Sequence, residues 1–524
     1  MIKDVIKTID QIATEDPQRI AYDYLGETNT YGDLKARSDA YAAKINELDL
    51  PEKAPVMIWG GQNFEMIASF IGAVKAGHAY IPIASYSNSE RLLMIQEVSE
   101  APLVIAIDKL PIEMDNIKVL TPEEVSDNHP EIDQSKFVSG DDNFYIIFTS
   151  GTTGKPKGVQ ISHDNLLSFV NWELNDFSLP EHPSFLAQDP YSFDLSVMSL
   201  YPALTAGGKL VVLPHDVTEN IGQLFKTLPQ LKFNVWVSTP SFVEMSFLDP
   251  TFDAKHHPEL THFLFCGEEL SHKTAKMLKM KFPDSHIFNT YGPTETTVAV
   301  TQVEITDEIL NKYDRLPIGV SKDDTKISID TSKGEEDNQG EVVIEGPSVS
   351  KGYLNNPEKT EAAFFKESEH GSYRTGDLGF LDGDMLFYRG RIDFQVKFNG
   401  YRIELEEINF YLAKNPLVRY GVVAPKYNKD HKVQQLVAVV ELADGVREKY
   451  TDAELTKKLR ESLSQDIMPY MLPQRFIYRD EMPISQNGKV DIKQVIKEVN
   501  NAWSIFNPIV IRVNLLFFLL RFCH

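Results

Sequence analysis

Short apolar runs alternate with helix-like segments over the first 110 residues, and this alternation limits the fold more than any other feature of the chain. Strands are predicted over 56–59, 79–83 and 103–107, and helices over 30–48, over 64–75 and from residue 89. Thr30 with Asp33 resembles a capping box at the first helix, and Gly77 is expected to end the second. We expect Ser89 to cap the third helix. This order predicts a parallel α/β sheet covered by helices.

The chain is too long, at 524 residues, for one hydrophobic core, so at least two domains are expected. Residues 1–392 contain 33 Lys and Arg against 60 Asp and Glu, a net charge of −27. Residues 393–500 contain 17 against 16, a net charge of +1. The change indicates a boundary near Asp393. We therefore predict a large domain over 1–392, a small domain over 393–500 and an atypical tail over 501–524.

Composition is typical of a globular enzyme, with 42% hydrophobic and 24% charged residues. The overall charge of −24 argues against nucleic acid as a partner. Cys266 and Cys523 are the two cysteines, which exclude a disulfide framework and a cysteine-rich zinc site. The first residues open an amphipathic helix without an apolar signal region. We expect a cytoplasmic location.

The last residues depart from this pattern. Residues 505–520 are apolar but are interrupted by Pro508, Arg512 and two asparagines, and they are too short and too broken to predict a membrane span. No stable membrane insertion is expected. A membrane-surface segment and a frameshifted extension are the two alternatives.

A loop rich in glycine and hydroxyl groups follows the apolar run 144–148. Residues 148–159 contain three glycines, four hydroxyl residues and two lysines. Glycines let backbone N–H groups crowd around an anion, and hydroxyls and lysines add donors and positive charge, so the loop is predicted to bind phosphate. It does not fit the Walker A pattern, and a polar surface hairpin is the structural alternative. The candidate ATP-binding residues here are Thr149, Ser150, Gly151 and Thr152.

A second candidate nucleotide segment follows the apolar run 286–288. Tyr291 offers a flat face for a purine, and the Gly-Pro pair after it predicts a turn that lets backbone approach the nucleotide. Thr294 can donate to a phosphate, and Glu295 is an oxygen ligand suited to Mg²⁺. Alone, this segment could be an ordinary turn. Its candidate ATP-binding residues are Asn289, Thr290, Tyr291, Gly292, Pro293 and Thr294.

Three segments in the last third of the chain carry further candidates. The carboxylate of Asp377 can accept both ribose hydroxyls, although a turn aspartate is the alternative. Gly400 permits a tight loop before a helix that begins near Leu405. Lys489 lies on an Asn-Gly turn, where a lone lysine is usually a solvated charge.

In this order, these segments resemble the motifs of the adenylate-forming superfamily, which contains acyl-CoA synthetases, luciferases and the adenylation domains of peptide synthetases. The resemblance implies a large N-terminal domain of parallel-type α/β subdomains plus a β subdomain, and a small mobile C-terminal α+β domain. It implies ATP and Mg²⁺ as cofactors, Lys489 as the catalytic lysine, Asp393 as the hinge and Gly400 in the thiol channel. It also adds Tyr388, Arg389, Gly390 and Arg391 to the ATP-binding candidates.

Asp194 is the candidate that selects the substrate. It stands where amino-acid-activating members of the superfamily carry an aspartate for the substrate ammonium, and a carboxylate buried in a pocket is costly unless it is paired. A helix-cap aspartate is the alternative. Over about residues 1–500 the chain resembles the D-alanine–D-alanyl carrier protein ligases of teichoic acid D-alanylation. That resemblance implies that Cys266 and Val298 line the substrate pocket.

The resemblance implies a two-step ligase reaction. D-alanine and ATP form D-alanyl-AMP, and the phosphopantetheine thiol of a carrier protein then takes the alanyl group. Carrier proteins in this family are acidic, so we expect docking on the near-neutral small domain. The alternatives are an adenylation domain for another small amino acid, an acyl-CoA synthetase, and a degenerate fold that only senses nucleotide.

Overall fold

The computed structural model describes residues 1–501 except 116, 129–130, 152–154, 335–337, 368, 430 and 485–489. Thr152, Lys489 and the predicted tail from residue 502 onward lie outside the described residues. The chain divides into two compact units. One contains Met1–Thr149 with Pro156–Asp393, and the other contains Ser150–Lys155 with the chain from Phe394.

A six-stranded sheet forms the N-terminal part of the first unit. Its strands are parallel to their neighbours, except for the antiparallel last pair on either side of the glycine-rich loop. The prediction of a parallel α/β sheet is confirmed. In spatial order the strands are Lys118–Leu120, Leu103–Ala106, Val56–Gly60, Tyr80–Ala84, Asn143–Thr149 and Lys157–Ser162.

A nine-stranded sheet carries most of the candidate site. Five consecutive strands of this sheet, from His286–Tyr291 to Lys209–Val212, run parallel to one another, so their carboxyl ends meet at one edge. The segments that contain Asp194, Cys266 and Thr294 each follow one of these strands. The spatial order is Val320–Ser321, Thr301–Glu304, His286–Tyr291, His262–Phe265, Val235–Ser238, Ser184–Ala187, Lys209–Val212, Ile20–Tyr24 and Glu27–Thr30.

Helices cover these two sheets. Thr30 and Asp33 form the expected capping box, and the second predicted helix has its expected bounds, Phe64–Lys75. The expected cap at Ser89 is wrong, because Asn88 has the extended backbone of the N-cap and its Oδ1 accepts the Arg91 N–H at 2.8 Å. The helices are Val5–Glu15, Tyr31–Glu47, Phe64–Lys75, Ser89–Ser99, His163–Asp176, Leu195–Thr205, His215–Thr218, Ile221–Thr227, Pro240–Ser246, His272–Lys281, Asp307–Lys312 and Pro357–Ala363.

One large core cluster joins helices to both sheets. Within it Phe70 stacks on Tyr80, with 4.3 Å between the ring centroids, and the Tyr80 hydroxyl shares a 2.7 Å hydrogen bond with the Tyr201 hydroxyl. Tyr80 belongs to the six-stranded sheet, whereas Tyr201 lies in the helix after Asp194. This packing holds the middle of that helix against the six-stranded sheet.

A five-stranded β-sheet completes the first unit, in agreement with the β subdomain that the superfamily resemblance implies. Ser372–Asp382 and Met385–Arg391 pair antiparallel, and Asp377 lies opposite Arg391. The remaining strands are Lys326–Asp330, Gly340–Glu345 and Phe364–Phe365.

The second unit is a small α+β structure. A hairpin of Gln395–Phe398 and Tyr401–Glu404 leads directly into the helix Leu405–Lys414, at the predicted start. A three-stranded sheet packs with this and two further helices. Its strands are Val418–Tyr427, Val433–Leu442 and Arg475–Arg479, and the helices are Asp452–Asp466 and Ile492–Asn501.

Candidate active site

Asp194 and Thr294 meet at the carboxyl edge of the nine-stranded sheet. The Thr294 hydroxyl donates to Asp194 Oδ2 at 2.6 Å across 100 residues of sequence. Asp194 is the N-cap residue of Leu195–Thr205, but its side chain makes no capping hydrogen bond. The carboxylate therefore binds Thr294 and does not cap the helix.

Cys266 and Val298, the two predicted pocket residues, lie against each other. Both are buried, and the Cys266 thiol lies 3.9 Å from the Val298 carbonyl oxygen. Cys266 follows the strand His262–Phe265, and Val298 follows the short 3₁₀ helix Thr294–Thr296. Val298 is four positions along the chain from Thr294, the partner of Asp194. The role of Cys266 and Val298 in lining a substrate pocket stays a prediction.

The segment between Asn289 and Thr294 is held by main-chain contacts. Asn289 Nδ2 donates to the Pro317 carbonyl at 2.7 Å, and the Thr290 hydroxyl donates to the Phe265 carbonyl at 2.8 Å. A Cβ at Gly292 would come within 2.5 Å of the Ala299 Cα, so only glycine fits there without a backbone shift. These contacts give the segment a rigid base; its role in binding ATP remains a prediction.

Hydrogen bonds link four side chains in a row, from Tyr291 through Asp377 and Arg391 to Asp393. The Tyr291 hydroxyl donates to Asp377 Oδ2 at 2.6 Å, and Arg391 Nη1 donates to Asp377 Oδ1 at 2.8 Å. Arg391 also binds Asp393 through two parallel hydrogen bonds, of 2.6 and 2.7 Å. Burial, together with the Asp377 carboxylate, raises the pKa of Tyr291 well above its ordinary value. The phenol therefore stays protonated and acts as a donor.

Gly376 makes this arrangement compact. Its φ is +70°, and a Cβ there would come within 2.8 Å of Arg391 Nη2. Glycine is therefore needed both for the backbone conformation and for the close approach of Arg391. The sequence singled out Asp377, Arg391 and Asp393 separately; it did not predict that Arg391 would bind both carboxylates.

The other nucleotide candidates of this β-sheet take different positions. Tyr388 lies with its ring under Arg315, whose guanidinium carbon is 5.8 Å from the ring centroid, and burial raises the pKa of Tyr388. Arg389 is exposed, with its guanidinium carbon 4.7 Å from the Phe380 ring centroid. Gly390 pairs with Leu378.

Glu295, the predicted magnesium ligand, is fully buried. Its Oε1 accepts a 2.8 Å hydrogen bond from the Tyr353 hydroxyl. Among the described residues, no group of three or more His, Cys, Asp or Glu side chains could hold a metal ion.

The glycine-rich loop supplies donors in the part that is described. Thr149 Oγ1 is buried and has no hydrogen-bond partner among the described residues. Within the second unit, the Gly151 N–H donates to a carboxylate oxygen of Glu407 at 3.2 Å, and the Ser150 hydroxyl donates to the Arg402 carbonyl at 3.0 Å. An N–H that binds a carboxylate has the polarity that an anionic phosphate requires. Gly400 joins the two strands of the hairpin, with φ +82°.

Asp189 is an ionisable residue near Asp194 that the sequence did not single out. Burial, together with the nearby Asp194 carboxylate, raises the pKa of Asp189 to about 8. Its Oδ2 accepts a 2.8 Å hydrogen bond from Gln188. The only sequence signal was its place five residues before Asp194, at the end of an apolar strand. At neutral pH Asp189 is therefore largely protonated.

A cavity of about 290 Å³ adjoins the segment that leads to Asp194. Pro190, Tyr191 and Ser192 form one side of it, and Tyr86 and His215 stack on each other at another, with 4.0 Å between the ring centroids. The sequence did not predict this cavity, because its walls come from loops that follow strands of both large sheets.

Known proteins share both the sequence and the fold. The profile of the AMP-binding enzymes matches residues 9–354. A D-alanine–D-alanyl carrier protein ligase of Lactiplantibacillus plantarum is 54% identical over 508 residues, which are 95% of this chain and 100% of that protein. The chain belongs to the family of D-alanine–D-alanyl carrier protein ligases. This family assignment confirms the resemblance seen in the sequence and identifies the chain as a ligase of the AMP-binding class.

Other members of this ligase family are almost as similar. The Lacticaseibacillus casei protein of the same name is 52% identical over 96% of this chain and all of its own, and the Streptococcus agalactiae protein is 50% identical over 95% and all of its own. The identities extend over nearly the whole chain, so they include both compact units.

Solved structures confirm the adenylate-forming fold. The o-succinylbenzoate CoA synthetase of Bacillus subtilis superposes with a TM-score of 0.80 at 20% identity, over 94% of this chain and 98% of that one. The Vibrio cholerae adenylation domain AlmE, solved with glycyl-adenosine-5′-phosphate, gives 0.78 at 22% identity over 95% and 98%. At these identities the similarity concerns the fold alone.

Proposed function

We propose that this ligase activates D-alanine with ATP and transfers the alanyl group to the phosphopantetheine thiol of a D-alanyl carrier protein. The observation that carries the proposal is the Asp194–Thr294 pair beside Cys266 and Val298. A carboxylate beside these two buried residues suits the α-ammonium group of an amino acid with a short side chain. The relatives named above act on D-alanine, and their similarity over almost the whole chain supports the same substrate here.

The ATP would bind along the Tyr291–Asp377–Arg391 group. Asp377 already accepts one hydrogen bond on each oxygen, and each oxygen has a second lone pair for a ribose hydroxyl. The salt bridge to Arg391 neutralises this carboxylate, so it suits neutral hydroxyls rather than a cation. The unpartnered hydroxyl of Thr149 supports phosphate binding by the glycine-rich loop.

The first step joins the two substrates without a protein nucleophile. A carboxylate oxygen of D-alanine attacks the α-phosphorus, the bond to the β-phosphate oxygen breaks, and pyrophosphate leaves. Catalysis then consists of positioning and charge stabilisation. Lys489, which lies outside the described residues, would bridge the two anions. A magnesium ion would arrive with the ATP phosphates, with Glu295 as one ligand at most.

The second step would need a different arrangement of residues 393–500. We infer that they rotate about Asp393, that Lys489 leaves and that the Gly400 loop enters. The thiol sulfur then attacks the acyl carbon, AMP leaves, and the thiol proton passes to solvent. The cavity beside Pro190–Ser192 would give the phosphopantetheine arm a route to the acyl carbon of the D-alanyl-AMP bound near Asp194. The carrier would dock mainly on residues 393–500, whose net charge is near zero.

The product would serve D-alanylation of teichoic acid in the cell wall, and the reaction would take place in the cytoplasm. Along the described part of the chain, no helix is both long and apolar enough to cross a bilayer.

An adenylation domain for another small amino acid is the second candidate. Asp194 favours it over an acyl-CoA synthetase, because a fatty acid brings no cation to balance that carboxylate.

The test is ATP–pyrophosphate exchange by the purified full chain with D-alanine, L-alanine, glycine, D-serine and a fatty acid. We expect strong exchange with D-alanine and weak exchange with the others. Preference for another amino acid would keep the mechanism and overturn the substrate. Exchange with the fatty acid alone would indicate an acyl-CoA synthetase, and ATP binding without any exchange would indicate a nucleotide sensor.

A further inference from the structure

The backbone of Thr297 and Val298 is unusual. Their φ angles are +61° and +67°, a region that β-branched residues rarely adopt. The Ala299 N–H donates to the Thr297 carbonyl at 2.8 Å, which closes a three-residue γ-turn with Val298 at its centre. A γ-turn with positive φ is the rarer and more strained form. Such a turn persists only where its surroundings hold it.

A neighbouring loop supplies that support. The Thr297 hydroxyl donates to the Ser348 carbonyl at 2.8 Å, and both residues are fully buried. The Ser350 N–H donates to the Glu295 carbonyl at 2.9 Å. The loop is in turn fixed by Asn165, whose Nδ2 donates to the carbonyls of Pro347 at 2.7 Å and Val349 at 3.1 Å.

The turn lies close to the proposed ammonium anchor. Thr294, which donates to Asp194, is separated from Val298 by only three residues, and the Val298 carbonyl contacts the Cys266 thiol. On the other side, Gly292 lies so close to Val298 and Ala299 that a Cβ would meet the Val298 oxygen at 2.8 Å. Val298 therefore cannot move toward Gly292, and its position depends on Thr297.

We propose that Thr297 is a positioning residue for substrate selection. Its hydroxyl, bound to the Ser348 carbonyl, holds Val298 in the left-handed conformation. That conformation directs the Val298 side chain and carbonyl so that the pocket accepts a small substituent on one side of the α-carbon only. The inference rests on the proposed function and adds to it a residue that does not itself touch the substrate.

The test compares Thr297→Val, which keeps the shape of the side chain but loses the donor, with Thr297→Ser, which keeps the donor. ATP–pyrophosphate exchange is measured with D-alanine, L-alanine and D-serine. We expect Thr297→Val to reduce the kcat/KM ratio of D-alanine to L-alanine and to D-serine by about tenfold, mainly through KM. Thr297→Ser should restore the ratio to within about twofold of the wild type.

A second variant acts from outside the pocket. Asn165→Asp keeps the oxygen that accepts the Ser162 N–H at 2.9 Å but loses both donors to the loop. It should lower the same kcat/KM ratios by about threefold. If thermal unfolding shows that Thr297→Val does not fold, Asn165→Asp takes its place in the test. Unchanged ratios in the folded variants, or equal relaxation by Thr297→Ser and Thr297→Val, would overturn the inference. Failure of the wild type to use any amino acid would instead overturn the proposed function.

Discussion

Two carboxylates in the first unit are partnered in opposite ways. Asp377 is bound by Arg391 at 2.8 Å, so a cation balances its charge, and Tyr291 donates to its other oxygen. Asp194 accepts a hydrogen bond from the Thr294 hydroxyl, which carries no charge. The comparison teaches that the partner, more than the acid itself, decides what a carboxylate can bind. This contrast supports the proposal that Asp377 binds sugar hydroxyls and that Asp194 binds an ammonium.

Asp194→Asn should have the largest effect, because it removes the charge that distinguishes Asp194 from the neutralised Asp377. Losing the charge that faces the substrate ammonium should lower kcat/KM for D-alanine in the exchange assay by about 100-fold or more, while KM for ATP changes by less than about twofold. Asp189→Asn is the matched control, because the raised pKa of Asp189 keeps it largely protonated at neutral pH. Similar losses in the two variants, or an equal loss of ATP affinity, would contradict the assignment of Asp194.

Asp377→Asn tests the proposed nucleotide site. The amide cannot match the charge of Arg391 and offers one acceptor oxygen instead of two, so KM for ATP should rise by about tenfold or more. KM for D-alanine should stay near the wild-type value. Asp382→Asn, at the exposed end of the same strand, is the control and should behave as wild type. A rise in KM for D-alanine alone would exclude Asp377 from the nucleotide site.

Thr294→Val removes the neutral donor to Asp194 and keeps the Asp194 carboxylate itself. We expect KM for D-alanine to rise by about fivefold, because one hydrogen bond to the anchoring carboxylate is lost and Asp194 becomes less well oriented. Thr294→Ser should retain most of the wild-type affinity. Equal effects of the two variants would mean that the methyl group, not the hydroxyl, is what matters.

The raised pKa of Asp189 predicts a small, pH-dependent effect on the free energy of unfolding. Its native pKa of about 8 lies above that of an unfolded aspartate, so between these values the folded chain binds a proton that the unfolded chain has released. This residue therefore costs increasing stability as pH rises from about 4 to about 8. Asp189→Asn should stabilise the chain by about 1 kcal/mol more at pH 8 than at pH 5, a modest value because Asp189 remains partly exposed. Thermal unfolding at both pH values measures this difference; a constant difference would contradict the raised pKa.

The sequence alone determined the elements and the family. Apolar runs, capping residues and glycines act within a few positions of themselves, so bounds such as Phe64–Lys75 and the box at Thr30 followed from local patterns. The choice between Asn88 and Ser89 as a helix cap did not, because both residue types cap well and only the backbone angles distinguish them.

Only the tertiary structure decided how the candidate residues are partnered. Thr294 reaches Asp194 across 100 residues, and Tyr291 reaches Asp377 across 86. The pKa of Asp189 and the left-handed turn at Val298 depend likewise on groups that packing brings close. Burial and hydrogen bonding act over a few ångströms in space, whatever the separation along the chain. Sequence motifs can therefore name the reactive residues, but the charge state and direction of each are set by the neighbours that the fold supplies.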